Sequence, residues 1–471
     1  MVSKKFNPRE YQKIIIDAVL TIKRINIYAS MGTGKTVSCL TAIAGLKMAG
    51  ALLRPVLVLA PLRVAVSTWP DECQKWDHLK DLKVVHLTGS AAARNAASKL
   101  EADIFTCNYE NIPWLVTVFP DWPFQMIIAD ESTRLKGFRL RGGSKRAAAL
   151  AKKAHITERF VNLTGTPAPN GLIDLWGQNY FIDRGERLGR TFSAFIGRWF
   201  RQERLHNFVK ITPWPHSQKE IHQAISGVTL SIDGRDWFDV AEPVHIPVLV
   251  KLDGKARKLY DQMEKELFLE LATFEVEALS AAAKTVKCLQ IASGALYTDD
   301  RGSWEEIHNA KLLALESIIE EANGMPVLVA YQWKHDLTRL KAFFPQGKEF
   351  DSDPKTLKAW NAGKIPVLFI HPASGGHGIS MQDGGNILAF FSHWYNLEEY
   401  QQIIERIGPV RQMQSGYDRP VYVYHLLAAD TVDSIVMARR ETKREVQDLL
   451  LEAVKHRQAA NDEEYRIKAN G

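Results

Sequence analysis

Residues 26–40 read NIYASMGTGKTVSCL, a short apolar segment that runs into a glycine-rich turn and then a helix-like stretch closed by Gly50. The pattern G-x-x-x-x-G-K-[ST] describes a loop whose backbone N–H groups, with the N-terminus of the next helix, converge on phosphate oxygens. Ser30, Met31, Gly32, Thr33, Gly34, Lys35 and Thr36 would form that cradle. Gly32 and Gly34 permit the tight backbone path, Lys35 can reach the β- and γ-phosphates, and Thr36 can ligate Mg²⁺. One position departs from the pattern: Ala29 stands where the first glycine is usual. That position only starts the turn, so alanine is tolerated there if its φ stays negative.

The same strand–turn–helix rhythm extends outward. PVLVLAP (55–61), ADIFTCNY (102–109), FQMIIADE (124–131) and RFVNLTGT (159–166) are apolar runs suited to strands buried on both faces. The rhythm restarts with PVLVAYQW (326–333), IPVLFIHP (365–372), GNILAFFSHW (385–394) and PVYVYHLLA (420–428). Strands alternating with helices predict parallel sheets covered on both faces, and hence an α/β protein of two lobes. The first lobe is expected over residues 1–245 with an irregular, mostly helical insertion at about 171–240, and the second over 246–471 with a charged tail at about 456–471. The hinge is expected near AEPVHIPVLVKL (241–252).

A phosphate loop needs an acidic residue at the end of a neighbouring strand to hold metal. MIIADEST supplies Asp130 for Mg²⁺ and Glu131 to polarise the attacking water. Two carboxylates at a strand end usually mark a helix cap or a solvated turn. Paired with the cradle, they point to ATP hydrolysis.

Bulk composition excludes several alternatives. The chain has 471 residues, a net charge of +6, and 46% hydrophobic and 24% charged residues, an ordinary balance for a folded chain with a large core. The mild basic excess is compatible with a polyanionic partner without demanding one. Four cysteines without C-x-x-C spacing argue against a zinc site or disulfide frame and for a reducing compartment. No apolar signal core or run of about 18 apolar residues is present, so a soluble, cytoplasmic protein is expected.

ASMGTGKT, DEST, LTGTPAPN and SGGHGISMQDGGN occur in the order and spacing of superfamily-two helicases. The chain resembles the Swi/Snf-type branch over about residues 6–445, particularly the compact versions found in bacteriophages. LAPLRVAVSTWPDECQKW (59–76), LTGTPAPNGLIDLW (163–176) and FFSHWYNLEEYQQIIERIG carry the likeness. The resemblance implies two RecA-like lobes gripping ATP and Mg²⁺ between them. It places Gln12, in FNPREYQ, against the adenine edge, and has Thr164 and Thr166 couple nucleotide state to the bound strand unless their hydroxyls only satisfy a strand-end turn. Arg406 and Arg411 would be the second lobe's contribution to transition-state charge. The usual spacing of these arginines is three residues. Here it is five, with Pro409 between them, and Arg411 fits better because RQMQ, ending at Gln414, is similar to R-x-G-Q.

The resemblance also implies a nucleic-acid track bound through phosphates. Its expected contacts are Arg63 in APLR, Asn108 in TCNYEN and Thr164 in the first lobe, with Ser374 and Gly375 in the second; His377 could contact nucleic acid or nucleotide. Residues 132–155 carry four Arg and four Lys with no carboxylate and would line that side. GRTFSAFIGRWFRQERLHNF (189–208) interleaves Arg with Phe and Trp, which suits either base stacking or a helix packing inward. The implied function is an ATP-dependent DNA translocase, duplex DNA being the favoured track, in viral replication, recombination or repair. It would act as a monomer in the bacterial host cytoplasm, with replication or repair proteins as further partners. Two rivals remain: a strand-separating helicase on DNA or RNA, and a non-hydrolysing nucleic-acid binding module.

Overall fold

The computed structural model describes residues 4–30, 32–205, 208–233, 237, 241–272, 278–299, 301–351, 353–373 and 379–441. Among the described residues the strands in chain order are β1 (Arg24–Ala29), β2 (Val56–Ala60), β3 (Val84–His86), β4 (Ile104–Asn108), β5 (Met126–Asp130), β6 (Arg159–Thr164), β7 (Phe200–Leu205), β8 (Phe208–Pro213), β9 (Thr229–Ile232), β10 (Val244–Val250), β11 (Ala295–Tyr297), β12 (Trp304–Glu306), β13 (Val327–Ala330), β14 (Gly347–Glu349), β15 (Val367–Ile370), β16 (Ile387–Phe390) and β17 (Tyr422–Ala428). They build two parallel sheets, ordered β3-β4-β2-β5-β6-β1-β9 and β10-β17-β16-β13-β15-β14. Two antiparallel hairpins, β7–β8 and β11–β12, stand apart from them.

Alternation along the central strands explains why both faces of each sheet are covered. On β2, Val56, Val58 and Ala60 join the core packed under α1 (Glu10–Thr21) and α2 (Lys35–Met48), while Leu57 and Leu59 join the opposite core with Trp176, Phe181 and Trp199. The second sheet divides likewise. Val327 and Val329 face Leu312, Leu315 and Leu340, and Leu328 and Ala330 face Trp360, Leu397 and Ile403. A parallel sheet places its strand ends and their loops along one edge, where ligands of such folds bind. The phosphate loop after β1 and Asp130 at the end of β5 share that edge in the first lobe.

Two expectations about organisation need correction, and one open alternative is decided for three of its aromatics. The segment expected to be a hinge, 241–252, contains β10, the edge strand of the second sheet, so a division at residue 245 would cut through a strand. An edge strand tolerates Pro247 and leaves Leu249 66% exposed, which is why it does not read as a buried run. The range 171–240 is not simply an inserted helical unit either. It holds the helices Leu175–Asp183, Phe192–Trp199 and Ser217–Ile225 and the β7–β8 hairpin, then returns to the first sheet as β9 beside β1. Within 189–208, Phe195, Trp199 and Phe200 are buried while Arg198, Arg201 and Arg204 are exposed, so these aromatics pack inward and offer no stacking surface.

Candidate active site between the lobes

The strand β1 delivers the phosphate loop. Ala29 is still extended, paired in register with Ile232 on β9, so the missing first glycine costs nothing. The left-handed conformations fall on Gly32 (φ 79°) and Gly34 (φ 74°), where residues with a Cβ would be strained. At Gly34 a Cβ would also collide with Gln12 Nε2. The Thr33 hydroxyl donates to Ser30 O at 2.8 Å and tightens the turn. Lys35 Nζ donates to Ala29 O at 2.7 Å and Ser30 O at 3.2 Å. Burial lowers the Lys35 pKa, while the carboxylates of Glu131 and Asp130 oppose that effect. Met31 lies outside the described residues.

Asp130 and Glu131 are both buried at the end of β5. The Trp69 indole donates to Asp130 Oδ2 at 2.9 Å, and the Tyr109 hydroxyl donates to Asp130 O at 2.9 Å. Trp69 follows a five-residue π-helical turn, Val64–Thr68, an irregularity common at functional sites. Glu131 is left-handed (φ 59°, ψ 58°), a conformation that costs a non-glycine residue about 1–3 kcal/mol and persists only where its surroundings enforce it.

The second lobe supplies two arginines from two helices. Arg406 ends the helix Leu397–Arg406, and Gly408 and Pro409 start a separate helix, Pro409–Gln414, that carries Arg411. This break accounts for the five-residue spacing: a proline at the first helical position starts a new helix rather than extending the old one. Both side chains reach the same cavity. Arg406 is 3% exposed, and its Nε and Nη1 have no hydrogen-bond partner among the described residues. Burial, with Arg411 and Arg63 nearby, pushes its pKa down to about 9. Arg411 Nη1 donates to Ile379 O at 3.1 Å and to Ser380 Oγ at 2.8 Å. Its aliphatic stem packs on the phosphate loop, with Cγ 3.3 Å from where a Cβ on Gly32 would sit.

The cavity between the lobes has a volume of about 560 Å³, within the ~300–1,000 Å³ usual for small-molecule sites. Gln12, Gly32, Gly34, Lys35, Thr36, Asp130 and Glu131 line it from one side, and Arg406, Arg411 and Gln414 from the other. Gln12 Oε1 accepts from Arg9 N at 2.9 Å, capping α1, and Nε2 reaches Thr33 O at 3.4 Å. Thr36 and Asp130 present hard oxygen donors on one wall. That set fits Mg²⁺, which takes few protein ligands and completes its shell with substrate phosphates and water.

The expected nucleic-acid residues are less gathered. Asn108 is in register with Ala60 at the ends of β4 and β2, and its amide is engaged with Glu110 Oε2 at 2.9 Å and Asn111 at 2.6 Å. Arg63, just past β2, leans over Phe350 of the second lobe at 5.8 Å. Thr164 is fully buried and accepts from Thr166 N at 3.0 Å, the strand-end turn geometry, so its hydroxyl presents no surface to a phosphate. Ser374, Gly375 and His377 lie outside the described residues. Several contacts were not foreseen: Trp69 on Asp130, Gln414 Nε2 on Gly32 O at 2.8 Å, and Thr133 Oγ1 on Glu398 Oε1 at 3.4 Å. Trp69, Thr133, Glu398 and Gln414 all stand inside segments that carry the likeness, but nothing local in those segments says which residues meet.

A phosphate loop and acidic pair on one parallel sheet, faced by arginines from a second, define the two-lobed P-loop ATPase core of helicase-like proteins. Residues 27–292 match the model of the SNF2-related domain. A protein designated p41 of Acyrthosiphon pisum secondary endosymbiont phage 1 is 59% identical over 459 residues, covering 96% of this chain and all (100%) of its own. The chain therefore belongs to the SNF2-related family. The human SWI/SNF-related matrix-associated actin-dependent regulator of chromatin subfamily A member 1 is 21% identical over 469 residues, 90% of this chain but 41% of that protein. Among solved structures, the Sulfolobus solfataricus SWI2/SNF2 ATPase core in complex with dsDNA aligns over 95% of this chain and 94% of its own, with a TM-score of 0.43 and 18% identity.

Proposed function

We propose that this chain is an ATP-dependent DNA translocase that tracks along duplex DNA. The observation that carries the reading is the shared cavity, where Lys35, Thr36, Asp130 and Glu131 face Arg406 and Arg411 across the lobe boundary. Lys35 and the loop amides would hold the β- and γ-phosphates. Thr36 and Asp130 would hold Mg²⁺, which supplies charge screening for the phosphates. Glu131 would orient water and take its proton as the water oxygen bonds to the γ-phosphorus and the bond to the β–γ bridging oxygen breaks. The arginines would stabilise charge on the transferring phosphoryl group, and Arg406, whose Nε and Nη1 have no partner among the described residues, is better placed to turn onto it than Arg411.

Since the arginines ride on one lobe and the loop on the other, binding and hydrolysis would change how tightly the lobes close. Phosphate contacts on both lobes would convert that closure into movement along a backbone. The phage relative supports a viral setting for this activity, for which we propose DNA replication, recombination or repair in the bacterial cytoplasm, and the human relative's name, a regulator of chromatin, is consistent with DNA as the track.

The test is ATP hydrolysis measured without nucleic acid and with single-stranded DNA, duplex DNA or RNA. Duplex DNA should stimulate most, Glu131→Gln should abolish turnover while retaining DNA binding, and binding should weaken steeply with salt. Stimulation by RNA alone, or full turnover by Glu131→Gln, would overturn the reading.

A further inference from the structure

The helix Leu175–Asp183 is buried along almost its whole length, and most of its inward residues, such as Leu175, Trp176 and Phe181, are apolar. Gln178 and Asn179 interrupt that surface without reaching solvent. A buried amide is costly unless every polar atom is paired, and Gln178 pairs all of its own. Its Oε1 accepts from Ser132 Oγ at 2.9 Å, and its Nε2 donates to Pro167 O at 2.7 Å and Asp174 O at 3.1 Å. One side chain thus joins the residue after Glu131 to the loop after Thr166.

The frame around it is equally fixed. Asn162, which sits in register with Ala129 one step below Asp130, donates to Gln178 O at 3.1 Å and to Asn26 Oδ1 at 2.8 Å. Asn26 in turn donates to Asn179 Oδ1 at 2.9 Å. Gly177 explains how closely the helix approaches the acidic turn: a Cβ there would lie 2.5 Å from Lys136 O and 2.8 Å from Leu135 O. Neither loop can shift relative to the other while these bonds hold.

We propose that Gln178 is a positioning residue that couples the 164–167 loop to Glu131. Thr164, Thr166 and Pro167 are buried, so bound nucleic acid would act on that loop through its exposed end at Asn170, whose N–H donates to Asp174 Oδ2 at 2.8 Å; the displacement pulls on Gln178 Nε2, and Gln178 Oε1 transmits the pull to Ser132 and so to the strained Glu131 backbone. The inference rests on the translocase reading above.

The test compares basal and duplex-stimulated ATP hydrolysis in Gln178→Leu, Ser132→Ala and the double variant, with thermal denaturation alongside. Gln178→Leu should bring the stimulated rate down to the basal rate while leaving the basal rate and the KM for ATP unchanged. Ser132→Ala, which removes one bond and little volume, should lower stimulation partially. The double variant should be no worse than Gln178→Leu, since both act through one connection. Equal loss of basal and stimulated rates tracking a lowered melting temperature, stimulation that survives in Gln178→Leu, or additive effects in the double variant would each overturn the coupling. An unsubstituted chain that hydrolyses no ATP with any nucleic acid would instead overturn the functional reading, and the coupling with it.

Discussion

The two lobes satisfy their buried polar groups by different chemistry. In the first, neutral amides carry the main network: Asn26, Asn162, Gln178 and Asn179 are joined by hydrogen bonds beneath the glycine-rich loop and acidic pair. In the second, charges do it. Lys311 and Asp433, each 1% exposed, form an ion pair at 2.7 Å, and Asp433 also accepts from Ala428 N at 2.9 Å. Asp336 accepts from Ser293 and Ser392, each at 2.7 Å, and Arg339 Nη1 donates to Ser293 O at 2.9 Å. Neutral amides hold their geometry across pH and salt, which suits the lobe that must keep a phosphate cradle in one shape. The second lobe carries the arginines that approach the cradle, and its frame depends on ionisation states.

Removing charge from the cleft tests that division of labour most severely. Lys35→Ala should abolish turnover and weaken nucleotide binding, because Lys35 belongs to the cradle itself. Arg406→Ala and Arg411→Ala should leave nucleotide binding within a few-fold and lower kcat, Arg406→Ala by about 10³-fold or more if it acts as the finger. Equilibrium binding of a nucleotide analogue beside single-turnover hydrolysis separates the two outcomes. Equal loss of nucleotide binding in all three variants would mean that the lobes do not divide the work.

Stability comes next. Lys311→Met leaves Asp433 charged and buried without its partner, which typically costs about 3–5 kcal/mol. Asn26→Ala in the first lobe leaves neutral partners unpaired and should cost about 1–3 kcal/mol. Chemical denaturation followed by hydrogen exchange in each lobe measures both. A smaller penalty for Lys311→Met than for Asn26→Ala would reverse the comparison.

Acid should separate the lobes further. In the second lobe, burial lowers the His308 pKa from 6.5 to about 4, and burial, helped by Arg440, pushes His393 well below the ordinary histidine range. His425 is likewise pushed down by burial and by His245. His308 is held neutral by geometry as well, with Nε2 2.9 Å from Ile291 O and Nδ1 accepting from Ala310 N at 3.3 Å. The unfolded chain takes up protons on these histidines below pH ~6.5 and the folded chain does not, so stability is lost as pH falls from about 6.5 toward 4. The first lobe has one histidine lowered as far, His222, to about 4 by burial, and burial also lowers the partly buried His78 and His155. Hydrogen exchange between pH 7 and 4.5 should therefore show the second lobe opening first. Simultaneous opening would indicate that the amide frame gives no protection.

What the sequence makes legible follows from burial and from distance along the chain. The strands β2, β4, β5, β13, β15, β16 and β17 are largely apolar runs because neighbours and helices cover both faces, and β1 and β6 stay readable although each carries one buried asparagine, Asn26 and Asn162. The short strands β3 and β14 stay partly exposed, and β9, though buried and as long as β13, alternates Thr229 and Ser231 with Leu230 and Ile232, so none reads as a continuous apolar run. The cradle and acidic pair are legible because each lies within one turn of chain. The contacts that assemble them are not: Trp69 meets Asp130 across 61 residues, Thr133 meets Glu398 across 265, and Gln414 meets Gly32 across 382. No local spacing rule reaches that far. The proline between Arg406 and Arg411 reads as a departure from pattern along the chain and as the start of a second helix in space.

The smallest expected effect lies where the two lobes touch at the cradle. Gln414 Nε2 donates to Gly32 O at 2.8 Å from a half-buried position, linking the helix that carries Arg411 to the glycine-rich loop after β1. A neutral hydrogen bond of this kind contributes about 0.5–1.5 kcal/mol net, and less where water can replace it. Gln414→Ala should therefore shift lobe closure by no more than about tenfold. Because the bond acts on closure and not on the transferring phosphoryl group, the shift should appear in the KM for ATP and leave kcat alone. Steady-state kinetics under saturating duplex DNA measures the split. A fall in kcat comparable to that of Arg406→Ala would place Gln414 among the groups that stabilise the transition state, and the boundary between gripping lobe and closing lobe would have to be redrawn through the helix Pro409–Gln414.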